Sequence, residues 1–387
     1  MPAGAEIHSD RRLPALTGLR ICAALAVYLS HVGPPEGSPA FLEAFFESGY
    51  FGVTLFFVLS GFVLAFNYFE DMRSPSLGGT YDFFVARFAR VYPLYLLVLL
   101  YIVLRQHAGG LEVDGWWQHG LAVQAWDPEI TDAYAFNGPG WSIGVEFFLY
   151  ACFPLLVPLV GLLRRPRELL VAAAVVAAAM LALAAWFVIS GRADLPWEDP
   201  SSAHRWLYRT PLTRLGDFLL GIFAARLFVQ AGGSQAVGKI GRVLAPAAAL
   251  AMLAAMALPA LTFTAWSWDV AYAIPAALLI FGLAVGPSSP LAKALSLPMI
   301  VLLGEASYAF YLVHWPAIFF FGAGQWSTQL SGSIVLLEAL NLGAILALAL
   351  GLHLAIEKPA RRWLRRALAR RRPRREPVAR PDLATDP

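Results

Sequence analysis

Arg20 and His31 stand eleven positions apart in LRICAALAVYLSHV, an otherwise almost wholly apolar stretch. At about 100° per residue the spacing is three turns plus roughly 20°, so one helix face carries both, on the order of 16 Å apart along the axis. A guanidinium and an imidazole are costly in an apolar helix, and ionisable groups inside a membrane are functional by default. A guanidinium near one end suits an anion, and an imidazole near the other suits proton transfer near neutral pH. The pair reads as the two ends of a channel for an extended substrate. The plainer reading has Arg20 reaching the interface and His31 bonding a neighbouring helix.

Three further clusters carry chemistry. Arg87 and Arg90, in FFVARFARVYPLY, are three apart and share a helix face, where like charges repel unless an anion lies between them. A phosphate suits such a fork. Pro93 would kink or start the span there. In NGPGWSIGVEFFLYACFP a turn leads into a helix, with Glu146 about one turn inside and Ser142 four residues before it. In SYAFYLVHWP, His314 carries Tyr311 and Phe310 on its own face. Arg214 and Asp217 are three apart and read as a structural ion pair, as do His353 and Glu357, four apart.

The elements that must position these groups follow from composition. The chain has 387 residues, 58% hydrophobic and 14% charged, against about 25% charged for a soluble globule. Apolar runs long enough for the roughly 20 residues of a bilayer span recur along it. Ten are read as transmembrane helices, over residues 16–32, 50–68, 88–104, 142–163, 168–189, 207–228, 243–263, 266–285, 299–321 and 333–355. The stretch 116–126 is apolar but too short, and belongs near the surface. The fold class is an all-α polytopic bundle of about ten transmembrane helices. With the N-terminus cytoplasmic, the loops of the opposite side hold only Arg105, Arg192 and Arg205, and the remaining loop cations lie inside. That bias orients membrane proteins, so both termini are expected in the cytoplasm.

Two cysteines make no disulfide framework and match no zinc spacing, and no metal is implied. The basic run RRWLRRALARRRPRRE directly follows a span, which favours anionic membrane lipids over nucleic acid as its partner. Residues 1–363 read as one transmembrane domain, and 364–387 as a basic, disordered cytoplasmic tail.

On this topology Arg20, Arg87 and Arg90 lie at the cytoplasmic side, and His31, Glu146 and His314 in the outer half. A phosphate-friendly mouth below an imidazole–carboxylate site fits a long anionic donor with its reactive group at the far end. A coenzyme A thioester has that form. The rival reading is a multi-pass transporter or flippase using the same charges, against which the spans show no paired broken helices of the inverted-repeat kind.

Together these motifs resemble the integral-membrane acyltransferase-3 family. Arg20 to His31, GVTLFFVLSGFVL at 52–64, Arg-x-x-Arg in RFARVYPLY, WSIGVEFFLY at 141–150, RLGDFLLG at 214–221 and YLVHWP at 311–316 occur in the family's order. They cover about residues 13–363. LTGLRI departs from the commoner LDGLRG, and WSIGVEFF from WSLSVEWQ. The resemblance implies acyl transfer from cytoplasmic acyl-CoA to a hydroxyl, usually on a sugar, and ties Arg20, His31, Arg87 and Arg90 to activity. The length and the LTGLR form look like the branch that acylates sugars of macrolide-type antibiotics.

The expected chemistry has no bound cofactor, with acyl-CoA as co-substrate and a hydroxylated glycan or glycosylated small molecule as acceptor, at a bacterial cytoplasmic membrane. His31 removes the hydroxyl proton as general base. Glu146 or His314 fixes the other nitrogen of His31 or shares its proton; a carboxylate stabilises the imidazolium better, so Glu146 is expected in that role and His314 at the acceptor or the thioester oxygen. Arg20, Arg87 and Arg90 hold the phosphate and pantetheine end. A covalent route through Cys22 or Cys152 is disfavoured by their apolar flanks, which suit packing thiols.

Overall fold

A computed structural model describes residues 13–35, 37–321 and 334–371. Among them there is no strand. The first half holds α1 (Pro14–Val32), α2 (Ala40–Glu47), α3 (Phe51–Met72), α4 (Leu77–Ala108), α5 (Trp116–Gly120), α6 (Ile130–Tyr134), α7 (Trp141–Val160) and α8 (Pro166–Ile189). The second holds α9 (Leu215–Ala231), α10 (Gln235–Met256), α11 (Val270–Val285), α12 (Pro290–Leu295), α13 (Pro298–Phe321), α14 (Ile334–Leu352) and α15 (Lys358–Arg371).

Among the described residues, seven segments are long and apolar enough to cross a membrane: Pro14–Val32, Ala40–Met72, Leu77–Ala108, Gly138–Val160, Pro166–Ile189, Gln235–Met256 and Leu336–Leu364. The other three expected spans fall on α9, α11 and α13. α9 has 17 residues and α11 has 16, short for a bilayer. α13 has 24, but Glu305, Ser307, Tyr308, Tyr311 and His314 dilute its apolar character. The expected sixth span begins late, because His204–Arg209 forms a π-helical turn before α9 starts at Leu215. Pro93 lies inside α4, a helix of 32 residues, rather than at its start. α15 continues to Arg371, eight residues into the segment read as a tail, since arginine, alanine and leucine are good helix formers. The rest of that tail, residues 372–387, lies outside the described residues.

Small residues let the helices that carry the site approach closely. A Cβ on Gly304 of α13 would stand 2.0 Å from the Thr17 carbonyl oxygen of α1. One on Gly221 of α9 would stand 2.0 Å from the Val58 carbonyl oxygen of α3, and one on Gly61 2.1 Å from that of Phe218. GVTLFFVLSGFVL is thus the strip of α3 against which α9 lies.

Arg214 caps that contact. It is fully buried, and its Nη1 lies 2.9 Å from Asp217 and 3.3 Å from Asp269. The same guanidinium donates to Thr54 Oγ1 at 3.2 Å and to the carbonyls of Tyr208 and Trp268 at 2.7 and 2.8 Å. The expected pair is therefore a network of one arginine and two carboxylates, tying α3, α9 and the start of α11. The expected His353–Glu357 pair is also present, at 2.9 Å, inside a π-helical turn between α14 and α15.

Candidate active site

α1 runs unbroken from Pro14 to Val32, so Arg20 and His31 share its face as their spacing requires. The helix stops one turn past Tyr28 because Gly33 takes φ +74° and its N–H closes on the Leu29 carbonyl at 3.0 Å. His31 is thereby held in the last turn.

α13 brings His314 to it. His31 Nδ1 and His314 Nε2 are 3.0 Å apart, and Trp315 sets its ring edge-on to His31 with centroids 4.8 Å apart. His314 is fully buried, whereas His31 is exposed. The local sequence explains the anchoring. Pro316 has no N–H, so the carbonyl of Leu312, four residues back, loses its helical donor. Asn137 Nδ2 donates to that carbonyl at 3.0 Å instead. Gly138 lies against the Trp315 indole, where an added Cβ would stand 3.1 Å from the ring. NGPGW and YLVHWP are therefore two halves of one latch. Ser142 and Tyr311 close it from below, their hydroxyls 2.8 Å apart.

The hydrogen bonds fix the imidazole tautomers. His314 Nδ1 lies 2.7 Å from the Tyr311 carbonyl, which can only accept, so that nitrogen carries the proton. In neutral His314 the Nε2 then holds a lone pair. The bridging proton belongs to His31 Nδ1, and His31 Nε2 is left unprotonated, the form a general base requires.

Below the histidines lies a cavity of about 60 Å³ lined by Arg20, Arg87, Arg90, Ser142, Glu146, Tyr150, Tyr308 and Tyr311, with apolar residues of α3. Arg20 Nε donates to Ser307 Oγ at 3.1 Å. Arg87 Nη2 donates to Tyr68 OH at 2.9 Å, while its buried Nε has no hydrogen-bond partner. Tyr308 OH donates to the Val91 carbonyl at 2.7 Å, docking α13 onto α4 between the arginines and Pro93. Tyr150 OH donates to the Glu146 carboxylate. A second, larger cavity of about 280 Å³ shares Arg20, Arg87 and Arg90 and extends to Thr17, Asn67, Tyr68, Glu305, His353 and α15.

Six sequence-selected residues thus form two groups. Arg20, Arg87, Arg90 and Glu146 line one cavity; His31 and His314 meet above it. The carboxylate expected against His31 sits instead with the arginines, and an imidazole takes its place. Sequence reasoning missed Tyr150 and Asn137, although each has a signal. Tyr150 stands four after Glu146, and any proline inside a helix orphans the carbonyl four residues back. Tyr68, Ser307 and Asp269 have none. Cys22 faces away on an exposed part of α1, and neither it nor Cys152 is among the residues lining the two cavities.

Comparison with known proteins bears on the same segments. The acyltransferase domain of one family matches residues 13–357. Acyltransferase MdmB of Streptomyces mycarofaciens is 35% identical over 411 aligned positions, covering 97% of this chain and 96% of that protein. O-acetyltransferase OatA of Staphylococcus aureus (strain NCTC 8325) is 23% identical across 87% of this chain and 55% of its own length. The chain therefore spans about half of OatA. No solved structure matches.

Proposed function

The chain belongs to the acyltransferase-3 family, and from that membership and the two cavities that share Arg20, Arg87 and Arg90 we propose a membrane O-acyltransferase that takes its acyl group from cytoplasmic acyl-CoA. The acceptor is a hydroxyl on a glycan or a glycosylated small molecule, with the sugar of a macrolide-type antibiotic the closest class. The bundle crosses a bacterial cytoplasmic membrane ten times, with both termini inside, so the arginine-lined cavities face the cytoplasm.

The observation that carries this reading is the His31–His314 contact standing above three arginines that share a cavity. His31 Nε2 accepts the proton of the acceptor hydroxyl as its oxygen attacks the thioester carbonyl. The carbon–sulfur bond then breaks, and the coenzyme A sulfur leaves with the proton held by His31. His314 orients His31 and shares the imidazolium charge through the bridging hydrogen bond. Arg87, with an unused buried N–H, and Arg90 hold donor phosphate, and Arg20 lies along the pantetheine arm. Glu146 keeps the arginine cluster from carrying its full charge when empty.

The test uses purified protein in detergent with radiolabelled acetyl-CoA and a hydroxylated glycoside. Label on the glycoside, absent in His31→Ala, supports the enzyme. A transporter or flippase needs a sealed compartment and transfers no label here.

A further inference from the structure

The cytoplasmic-side cavity has a second basic wall that the Arg-x-x-Arg motif does not supply. Lys358, Arg361 and Arg362 on α15 line the same 280 Å³ cavity as Arg20, Arg87 and Arg90. They stand at i, i+3 and i+4, which places them on one helix face. The π-helical turn at His353–Glu357 precedes that face, and α15 packs along α4. Against six cations the lining holds a single carboxylate, Glu305. The buried His353, which also lines the cavity, is held by Glu357 at 2.9 Å from its Nδ1 and lies 4.0 Å from Glu305 through its Nε2. This wall is built for more anionic charge than one pyrophosphate brings.

The two walls differ in depth. Arg20, Arg87 and Arg90 line both cavities, whereas Lys358, Arg361 and Arg362 line only the one farther from the histidines. In coenzyme A the thioester is followed by the pantetheine arm, the pyrophosphate, and then the ribose with its 3′-phosphate. With the thioester at His31, the order of phosphates along the ligand matches the order of cations along the cavity. We infer that the α15 face binds the 3′-phosphate of the donor, and so selects coenzyme A thioesters over thioesters on phosphopantetheine alone. The inference rests on the acyl-CoA reading above. The same cations would also suit a lipid headgroup phosphate.

Calorimetric titration of the purified full chain with coenzyme A and with 3′-dephospho-coenzyme A, in neutral detergent, decides it. Wild-type protein binds coenzyme A at least about tenfold more tightly, the effect of a lost charge-assisted contact. Lys358→Gln with Arg362→Gln brings coenzyme A down to the dephospho level and leaves dephospho-coenzyme A within about twofold of wild type, whereas Arg87→Gln with Arg90→Gln weakens both ligands. Arg361→Gln, made separately because Arg361 lies 3.9 Å from Glu357, repeats the α15 result. Equal wild-type affinity for the two ligands overturns the inference with no variant needed, and leaves the acyl-CoA reading intact. Binding of neither ligand by wild type removes both. If the α15 variants keep the coenzyme A preference but lose retention on phosphatidylglycerol vesicles, the face serves lipid and the inference fails.

Discussion

His31 and His314, 283 positions apart in the chain, meet with Nδ1 and Nε2 at 3.0 Å, and the Tyr311 carbonyl fixes the far side of His314. On the proposed mechanism the arrangement does for His31 what a carboxylate does for the histidine of a serine hydrolase: it sets the tautomer and receives part of the charge. His314→Ala is therefore expected to lower kcat by about 10²–10⁴ with little change in donor KM. Glu146→Gln should act mainly on donor KM, because Glu146 stands among the arginines. Steady-state kinetics on both variants check this. A Glu146→Gln protein without turnover beside an active His314→Ala protein would return the orienting role to the carboxylate.

Asn137→Ala should cost about 1–3 kcal/mol, the price of leaving the buried Leu312 carbonyl without a donor. Adding Pro316→Ala restores the helical N–H to that carbonyl. The double variant should melt closer to wild type than Asn137→Ala alone. Thermal melts of the three proteins give the answer, and an additive pair would refute the latch.

Arg214→Met strands two carboxylates in a dry core and should destabilise the protein by about 3–5 kcal/mol. Adding Asp217→Asn and Asp269→Asn removes the stranded charge and should recover much of the loss. Yield of monodisperse protein and its melting temperature are the readouts. A single Arg214→Met variant that melts like wild type would mean the network carries no stability.

Burial among Trp197, Tyr208 and Trp268 pushes the His204 imidazole, in the connection before α9, down from 6.5 to about 3. The unfolded chain takes up that proton at higher pH than the folded one. Stability from this site is complete above about pH 6.5 and falls as pH drops toward about 3. His204→Phe keeps an aromatic ring in the cluster and should flatten that part of the profile. Chemical denaturation at stepped pH, compared between the two proteins, measures the slope; parallel profiles would exclude His204 as its source.

Reporter fusions after residues 40, 130 and 200 should report the outside, and those after 75, 165 and 235 the cytoplasm. A cytoplasmic signal at 130 would put the Asn137 latch, and with it the histidines, on the wrong side for the proposed donor path.

What the sequence makes legible is what one helix decides. Arg20 and His31 lie on one face of α1, and Arg87 and Arg90 on one face of α4, because spacing within a helix sets direction. Loop charges add an expected height for each group along the bundle. Depth gives height and not position around the bundle, so it could not choose between Glu146 and His314 as the partner of His31. That choice depends on α1 packing against α13 through Gly304. Asp269 was hidden for the same reason: it joins Arg214 from 55 positions away, across a packing contact with no local signature.

The proposed catalytic pair joins α1 to α13, 283 positions later in the chain. A nascent polypeptide carries His31 into the bilayer early, and its imidazole has no partner until the ribosome has delivered α13. On the proposed mechanism, a product that ends before His314 lacks the group that sets the tautomer of His31, however well its earlier helices insert.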